Sequence, residues 1–284
     1  MFNTANLLYI EVNKIIQHTK LTNFDMGLVW QILDIKNEMP QAFYERMQKL
    51  SFYFMFAYSI WSKSRTDRNY IPFENLESDV NRYEDSNCGI YLEFENIDIT
   101  SENFQDRYSN IVLDTVKDKN AYAIVYNNDL AKYINKKYPQ IKLVQSEIKR
   151  DPHIEAPFEM GVVDYISYKF NKDTLKNKTS YILAVNSFCK NLYRCASLLS
   201  SNKLNYGIER PINCSDRIKT FEEMKKNELF VSIEEINKIN NEGIENFLVK
   251  ANCDERFEVL EAFLYYLIKP EYKDEIRLRL IKSA

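Results

Sequence analysis

The chain has 284 residues, of which 45% are hydrophobic and 14% aromatic, so it carries far too much apolar surface for a disordered chain. Its 38 Lys and Arg against 41 Asp and Glu give a net charge of -3, which argues against dedicated nucleic-acid binding, because such proteins need clustered cations. The five glycines are widely spaced, which excludes a nucleotide cofactor held by a P-loop or a dinucleotide-binding loop. Only two histidines are present, His18 and His153, which excludes the paired-His zinc motifs.

The sequence contains no recognisable export or membrane-spanning signal, so we expect a cytoplasmic protein. The N-terminal sequence has no cationic stretch followed by a long apolar run, so we expect no signal peptide. The longest nearly apolar run, residues 50–61, is roughly half as long as a membrane-spanning helix. Five cysteines, an odd number, favour free thiols or a metal site over a disulfide framework.

The first 50 residues are predicted to be helical. Apolar residues recur there at helical spacing in two groups, which are Leu7, Leu8, Val12, Ile15 and Ile16, then Met26, Val29, Trp30 and Leu33. Pro40 is expected to start a short third helix.

After residue 50, β-rich runs alternate with amphipathic helical segments. The eight runs are 51–57, 89–95, 121–126, 141–145, 163–168, 181–186, 228–231 and 245–250. Such alternation requires a mostly parallel sheet, because parallel neighbours need long crossover connections. Eight units predict an α/β fold, a (β/α)8 TIM-like barrel over residues 51–284, preceded by the helical segment 1–50 in a single domain. An open, doubly wound sheet is the alternative.

Four local motifs occur in a shared order along residues 50–280. They lie in residues 60–65 (IWSKSR), 89–110, 128–149 and 230–272. Together they resemble a little-characterised group of bacterial proteins related to the collagenase-like peptidase family, whose relatives include tRNA- and ubiquinone-hydroxylation proteins. That resemblance implies a barrel, in agreement with the eight runs.

The chain departs from this family where chemistry is expected. The family's strand-eight Lys-Ile-Glu-Gly-Arg corresponds to residues 248–252, Leu-Val-Lys-Ala-Asn, so the acid and the guanidinium are lost. The acid that the resemblance implies near the end of strand five corresponds to Ser167. Of the family's cysteine cluster after strand six, Cys189 matches the first position and Tyr193 stands at the second.

Cys189, Cys195 and Cys214 share one long crossover and are the candidate metal ligands. Thiolates suit zinc or an iron–sulfur cluster, and Cys253 would supply a fourth. Their spacing matches no compact ligand motif, so we expect structural cysteines, with an iron–sulfur or zinc centre as the alternative.

Polar residues at predicted strand ends are the candidates for a ligand site, because a barrel directs strand ends toward one mouth. Those expected to bind substrate are Arg65, Asn96, Asn127, Ser146 and Asn186. The catalytic candidates are Lys149 and Lys250, as an amine base or Schiff-base nucleophile, and Cys189, as a thiol nucleophile. His153 is expected at the surface and Asp129 in a helix cap.

Three functions remain open from the sequence. The first is an enzyme acting on a small polar substrate, or on a modified peptide or nucleoside, at the barrel mouth. The second is a non-catalytic binding or partner subunit that has lost the metal and acidic site of its relatives. The third is a metal protein using the later cysteines. A protein partner or a homo-oligomer fits the second function best, and no membrane partner is implied.

Overall fold

The computed structural model describes residues 7–11, 24–44, 49–54, 59–62, 76–149, 151–185, 220–250 and 256–282. Within these ranges the chain forms eight strands. They are β1 (Leu7–Glu11), β2 (Lys49–Phe54), β3 (Gly89–Phe94), β4 (Ala121–Val125), β5 (Lys142–Gln145), β6 (Met160–Asp164), β7 (Tyr181–Ala184) and β8 (Asn246–Lys250).

Every strand pairs in parallel with its neighbour in the sequence, and β1 also pairs in parallel with β8. The sheet therefore curls into a closed ring in which all strands run the same way. This confirms the predicted α/β class with a parallel sheet and is consistent with a TIM-like barrel. A ring of parallel strands brings all the carboxyl ends to one mouth.

The helices fill most of the crossovers. They are α1 (Phe24–Glu38), α2 (Leu76–Asp85), α3 (Arg107–Val116), α4 (Asn128–Lys137), α5 (Tyr165–Asn171), α6 (Phe221–Lys225), α7 (Ile233–Asn241), α8 (Arg256–Leu267) and α9 (Lys273–Lys282). The described residues between β5 and β6 contain no α-helix, only a 3-10 turn over Glu147–Lys149 followed by irregular chain. Ile154 in this chain packs on Gly161, where an added Cβ would come within 3.1 Å of the isoleucine.

The prediction that residues 1–50 are helical was wrong at its start. Leu7–Glu11 is a strand of the ring, and its Tyr9 has Ser51 of β2 and Leu248 of β8 as register partners. A short apolar run cannot be assigned to helix or strand from its periodicity alone. Here residues 7–11 form a strand because they pair with the edges of both β2 and β8. The second expected helix is confirmed as α1.

The predicted strand at 228–231 was also wrong. Asn227 turns the chain there, its side-chain oxygen accepting the backbone N–H of Leu229 at 2.9 Å. Val231 then donates its N–H to Val185 O just past β7 and accepts the buried Tyr266 hydroxyl at 3.0 Å. The segment is irregular chain that packs on the end of β7. The eight predicted strands therefore included one wrong strand and omitted β1.

Apolar side chains fill the interior of the barrel. Tyr91 and Tyr122 stack face to face, with ring centroids 4.3 Å apart and an interplanar angle of 2°. The same buried cluster contains Ile124, Val144, Val162, Ile182, Ala184 and Leu248. Lys142, which begins β5, places its Nζ 5.2 Å from the Tyr122 ring, at the amino-terminal end of the strands. Among the described helices, none has the length and apolarity that spanning a bilayer would require.

Replacing Gly89 with Ala is expected to lower the free energy of unfolding by about 1–3 kcal/mol, because the site is overpacked. An added Cβ would clash with Ser51 Oγ and lie 3.3 Å from Ser51 Cβ. The buried Ser51 hydroxyl has no hydrogen-bond partner within the described ranges, so Ser51→Ala alone is expected to be neutral or stabilising. Urea unfolding of both single variants and the double variant checks this: the double variant should recover most of the loss, and simple additivity would contradict the contact.

Two tyrosines of α5 bond to acids at the two ends of α7. The Tyr165 hydroxyl donates to Glu235 Oε1 at 3.1 Å and the Tyr168 hydroxyl to Glu242 Oε2 at 2.5 Å. Burial, followed by the hydrogen bond to Glu235, raises the pKa of Tyr165 to about 12, and burial with the Glu242 contact raises the pKa of Tyr168 well above its usual value.

These tyrosines make the fold sensitive to alkali. An unfolded tyrosine ionises near pH 10, as is usual, so between about pH 10 and 12 the unfolded state holds fewer protons than the folded state and stability must fall as pH rises. We expect Tyr165→Phe and Tyr168→Phe to flatten this decline in chemical unfolding measured from pH 8 to 12. The exposed Tyr108→Phe serves as the control. An unchanged slope in the double variant Tyr165→Phe/Tyr168→Phe would contradict the assignment.

Candidate functional site

Two buried glutamates mark the carboxyl-terminal end of β3. Tyr91 faces the barrel interior, so strand alternation carries Glu93 and Glu95 to the same side. Both side chains are only 1% exposed. Buried carboxylates are costly to desolvate, so they occur where partners or function require them.

Ser146 joins Glu95 from the end of β5. Its backbone N–H donates to Val125 O at 3.2 Å, which continues the pairing of β4 and β5 by one residue. Its hydroxyl donates to Glu95 Oε1 and accepts the N–H of Ile148 at 3.1 Å. Two strand ends that flank β4 are thereby linked by side chains at the carboxyl-terminal end of the barrel. The sequence-based choice of Ser146 as a site residue thus falls beside a carboxylate.

Asn96 holds a neighbouring turn in place. Its N–H donates to Trp61 O at 2.9 Å, and its Nδ2 donates to Ile60 O at 2.7 Å. The turn, Ile60–Ser62, also bonds β3 through the Ser62 hydroxyl, which donates to Glu93 O. The amide predicted to bind substrate therefore bonds to this turn, and the turn is joined to the backbone on both sides of Glu95, at Glu93 and at Asn96.

Asn127 is the N-cap of α4. Its side-chain oxygen accepts the N–H groups of Asp129 and Leu130 at 2.9 and 3.0 Å, and its Nδ2 donates to Ile99 O. The oxygen and the nitrogen of the Asn127 amide are therefore both hydrogen-bonded, and Asn127 acts as a helix cap. Asp129, which was expected to be the cap, lies two residues after it.

Lys149 lies at the edge of the mouth between the chain after β4 and the chain before β6. Its Nζ donates to Asn128 Oδ1 and lies 4.3 Å from the centre of the Phe158 ring. Burial lowers the pKa of Lys149, while the nearby Glu155 and Asp151 act in the opposite direction. A half-buried amine of lowered pKa suits the predicted role of base or nucleophile.

Lys250 ends β8 and has Glu11, the last residue of β1, as its register partner. The two residues thus stand side by side at the carboxyl-terminal end of the ring, the end that carries Glu95. The predicted residues Arg65, Asn186, Cys189, Cys195 and Cys214 lie outside the described ranges, and their roles stay predictions.

The fifth predicted strand, 163–168, begins and ends earlier than expected. That strand, β6, ends at Asp164 rather than at residue 168. Asp164 caps α5 by accepting the N–H and the hydroxyl of Ser167 at 2.8 and 2.7 Å. Ser167, the position matched to the family's acid, therefore lies in the first turn of α5, and the loss of that acid stays a prediction.

His153 and Cys88 are two further side chains with possible chemistry in the described ranges. His153 is exposed, and its N–H donates to Asp151 Oδ1 at 2.9 Å. Cys88 is buried, which raises the pKa of its thiol to about 11. No group of three His, Cys, Asp or Glu side chains there is arranged to hold a metal.

Sequence analysis missed Glu93 and Glu95. The signal was present, because GIYLEFE places acids at alternate positions of a strand whose other residues are apolar. Acids on one face of a strand that is otherwise apolar are directed into the barrel, and the side chains nearest its carboxyl end reach the mouth.

No family model and no curated protein matches the chain. Among solved structures, the U32 peptidase Mk0906 is similar in fold, with a TM-score of 0.51 and 10% sequence identity over 87% of this chain and 92% of that chain. At this identity the likeness shows a shared fold, an α/β barrel-like arrangement.

Proposed function

We propose that the chain is a cytoplasmic, TIM-like barrel enzyme, distantly related to the collagenase-like peptidase family. It acts on a small polar substrate, or on a modified peptide or nucleoside, at the carboxyl-terminal mouth. The observation that carries this proposal is the buried Glu95–Ser146 pair, which joins the ends of two strands at that mouth. Barrel enzymes place their chemistry at this end.

The residues assigned to catalysis are Lys149, Lys250 and Cys189. The half-buried Lys149 supplies an amine at the edge of the mouth, and Lys250 supplies a second one from the end of β8. Cys189 follows β7 in the chain and lies outside the described ranges. Substrate contacts are assigned to Arg65, Ser146 and Asn186, with Asn96 and Asn127 acting mainly through the turns that they hold.

Ligand screening by thermal shift tests this function. Short peptides, modified peptides and nucleosides are screened against the full chain, and at least one class should raise the melting temperature. Lys149→Met and Lys250→Met should reduce that shift, whereas Lys172→Met, an exposed lysine after α5, should leave it unchanged. Equal shifts in all three variants would remove both lysines from the site.

A non-catalytic binding subunit is the second candidate, favoured by the structural use of the Asn96 and Asn127 amides. It predicts a ligand or protein partner without turnover of any compound that binds. The iron–sulfur or zinc alternative rests on cysteines outside the described ranges. Metal analysis and an absorbance spectrum of protein purified without oxygen decide it, because iron, zinc or visible absorption would be required.

A further inference from the structure

Serine hydroxyls donate to carboxylates in two different settings in this barrel. In the first setting the partners are three residues apart, as in Ser109 with Asp106 and Ser167 with Asp164. Each of these aspartates also accepts the backbone N–H of the same serine, at 3.0 and 2.8 Å. Both pairs are explained by capping of the following helix.

The Ser146–Glu95 pair belongs to the second setting. Its residues are 51 positions apart and follow β5 and β3, with β4 between them. Both side chains are 1% exposed, and Glu95 is remote from Ser146 in the chain, so the contact is not a local cap. A buried carboxylate contributes less to stability than an apolar side chain would, which points to a chemical role.

The Ser146 hydroxyl lies between an acceptor and a donor. Glu95 Oε1 accepts its proton, and the N–H of Ile148 donates to its oxygen at 3.1 Å. A carboxylate within hydrogen-bond reach can take the proton, and a donor on the oxygen stabilises the alkoxide that forms. We infer that Ser146 is a nucleophile and Glu95 its general base, in a reaction that transfers an acyl group.

This inference rests on the proposed function, because it takes the same mouth as the reaction site. The Ser146 oxygen bonds to the carbonyl carbon of an ester or amide, and its proton passes to Glu95. Glu95 then gives that proton to the departing alcohol or amine as its bond to the carbonyl carbon breaks. Water, deprotonated by Glu95, attacks the acyl-serine, and the proton returns to Ser146 as the acid is released.

Phenylmethylsulfonyl fluoride is the probe that tests the nucleophile without knowledge of the substrate. The serine oxygen bonds to sulfur, fluoride leaves, and the serine proton passes to Glu95. Peptide mass spectrometry of the treated, full-length protein should find the sulfonyl group on Ser146. Glu95→Gln should slow this labelling by about 100-fold, the usual contribution of a general base. Ser167→Ala, which changes a capping serine, should leave the rate unchanged.

The unaltered protein keeps the test decisive even if Glu95→Gln does not fold. No adduct on Ser146, or an adduct on other serines only, would overturn the inference, as would an unchanged labelling rate in folded Glu95→Gln. If Ser146 is not labelled but a ligand still gives a thermal shift that depends on the lysines, the assignment of Ser146 as nucleophile is overturned. The proposed function then still stands. Labelling of Ser146 without any ligand in the screen would support the nucleophile and remove the proposed substrate classes.

Discussion

Trp61→Ala is expected to lower the free energy of unfolding by about 3–5 kcal/mol, the range for truncating a large buried aromatic side chain. Trp61 is fully buried, with its ring edge-to-face against Phe94 at 5.2 Å and against Tyr133 at 5.9 Å. Its indole Nε1 donates to Asn103 O at 2.8 Å. Truncation leaves a cavity between β3 and α4 and removes this bond. Urea unfolding followed by circular dichroism measures the loss.

Two variants separate the causes. Trp61→Phe keeps an aromatic ring but loses the N–H, so it should be clearly less destabilising than Trp61→Ala. Trp30→Ala is the matched control, because Trp30 is half-buried, stacked on Tyr83 at 4.7 Å and covered by the Arg82 guanidinium. Its loss should be smaller. A Trp61→Ala loss no larger than that of Trp30→Ala would contradict the anchoring role of Trp61.

The anchoring of this turn bears on the site. Ser59 contacts Ser109 at the start of α3, and the Ile60 N–H donates to Asp106, while Asn96 and Ser62 join the turn to the end of β3. The backbone that carries Glu93 and Glu95 is thus held from outside the barrel. The resemblance motif at residues 60–65 includes this turn, so the described part of the motif has a packing role.

The parallel sheet could be predicted from the sequence because the alternation of apolar runs with amphipathic segments is a local signal. Ring closure is not local. β1 is a five-residue run that resembles the first turns of a helix, and its state depends on β2 and β8, which are distant in the chain. Residues 228–231 show the opposite case. Their composition is typical of a strand, but the segment is irregular chain because Asn227 turns the backbone there.

The candidate site was predictable in position but less so in its residues. Polar side chains after strands were expected at one mouth, and Ser146 is placed there beside Glu95. Asn96 and Asn127 are also polar side chains after strands, but their amide groups are hydrogen-bonded to nearby backbone groups. Sequence position alone does not distinguish an amide that caps a turn from one that faces a ligand, because both occur at strand ends.

Tyr91→Ala is expected to destabilise the barrel by about 3–5 kcal/mol, as for other large aromatic truncations in a core. Tyr91 is fully buried on β3, two residues before Glu93, and stacks on Tyr122 of β4. Aromatic pairs add about 0.5–1.5 kcal/mol beyond the area that they bury. The pair therefore stabilises the interior directly beneath the carboxylates.

A double-mutant cycle with Tyr91→Leu and Tyr122→Leu isolates the stacking contribution, since leucine retains much of the buried apolar volume. The two single losses should sum to about 0.5–1.5 kcal/mol more than the loss in the double variant, because either substitution alone already removes the stack. Tyr108→Ala, at a tyrosine 45% exposed, should change stability by less than about 0.5 kcal/mol. Additive losses at Tyr91 and Tyr122 would show that burial alone, without stacking, holds the barrel interior together. In that case the position of Glu93 would depend on the backbone of β3 and on the hydrogen bond that Ser62 donates to Glu93 O. Ser62→Ala should then have a larger effect on the site than either tyrosine substitution.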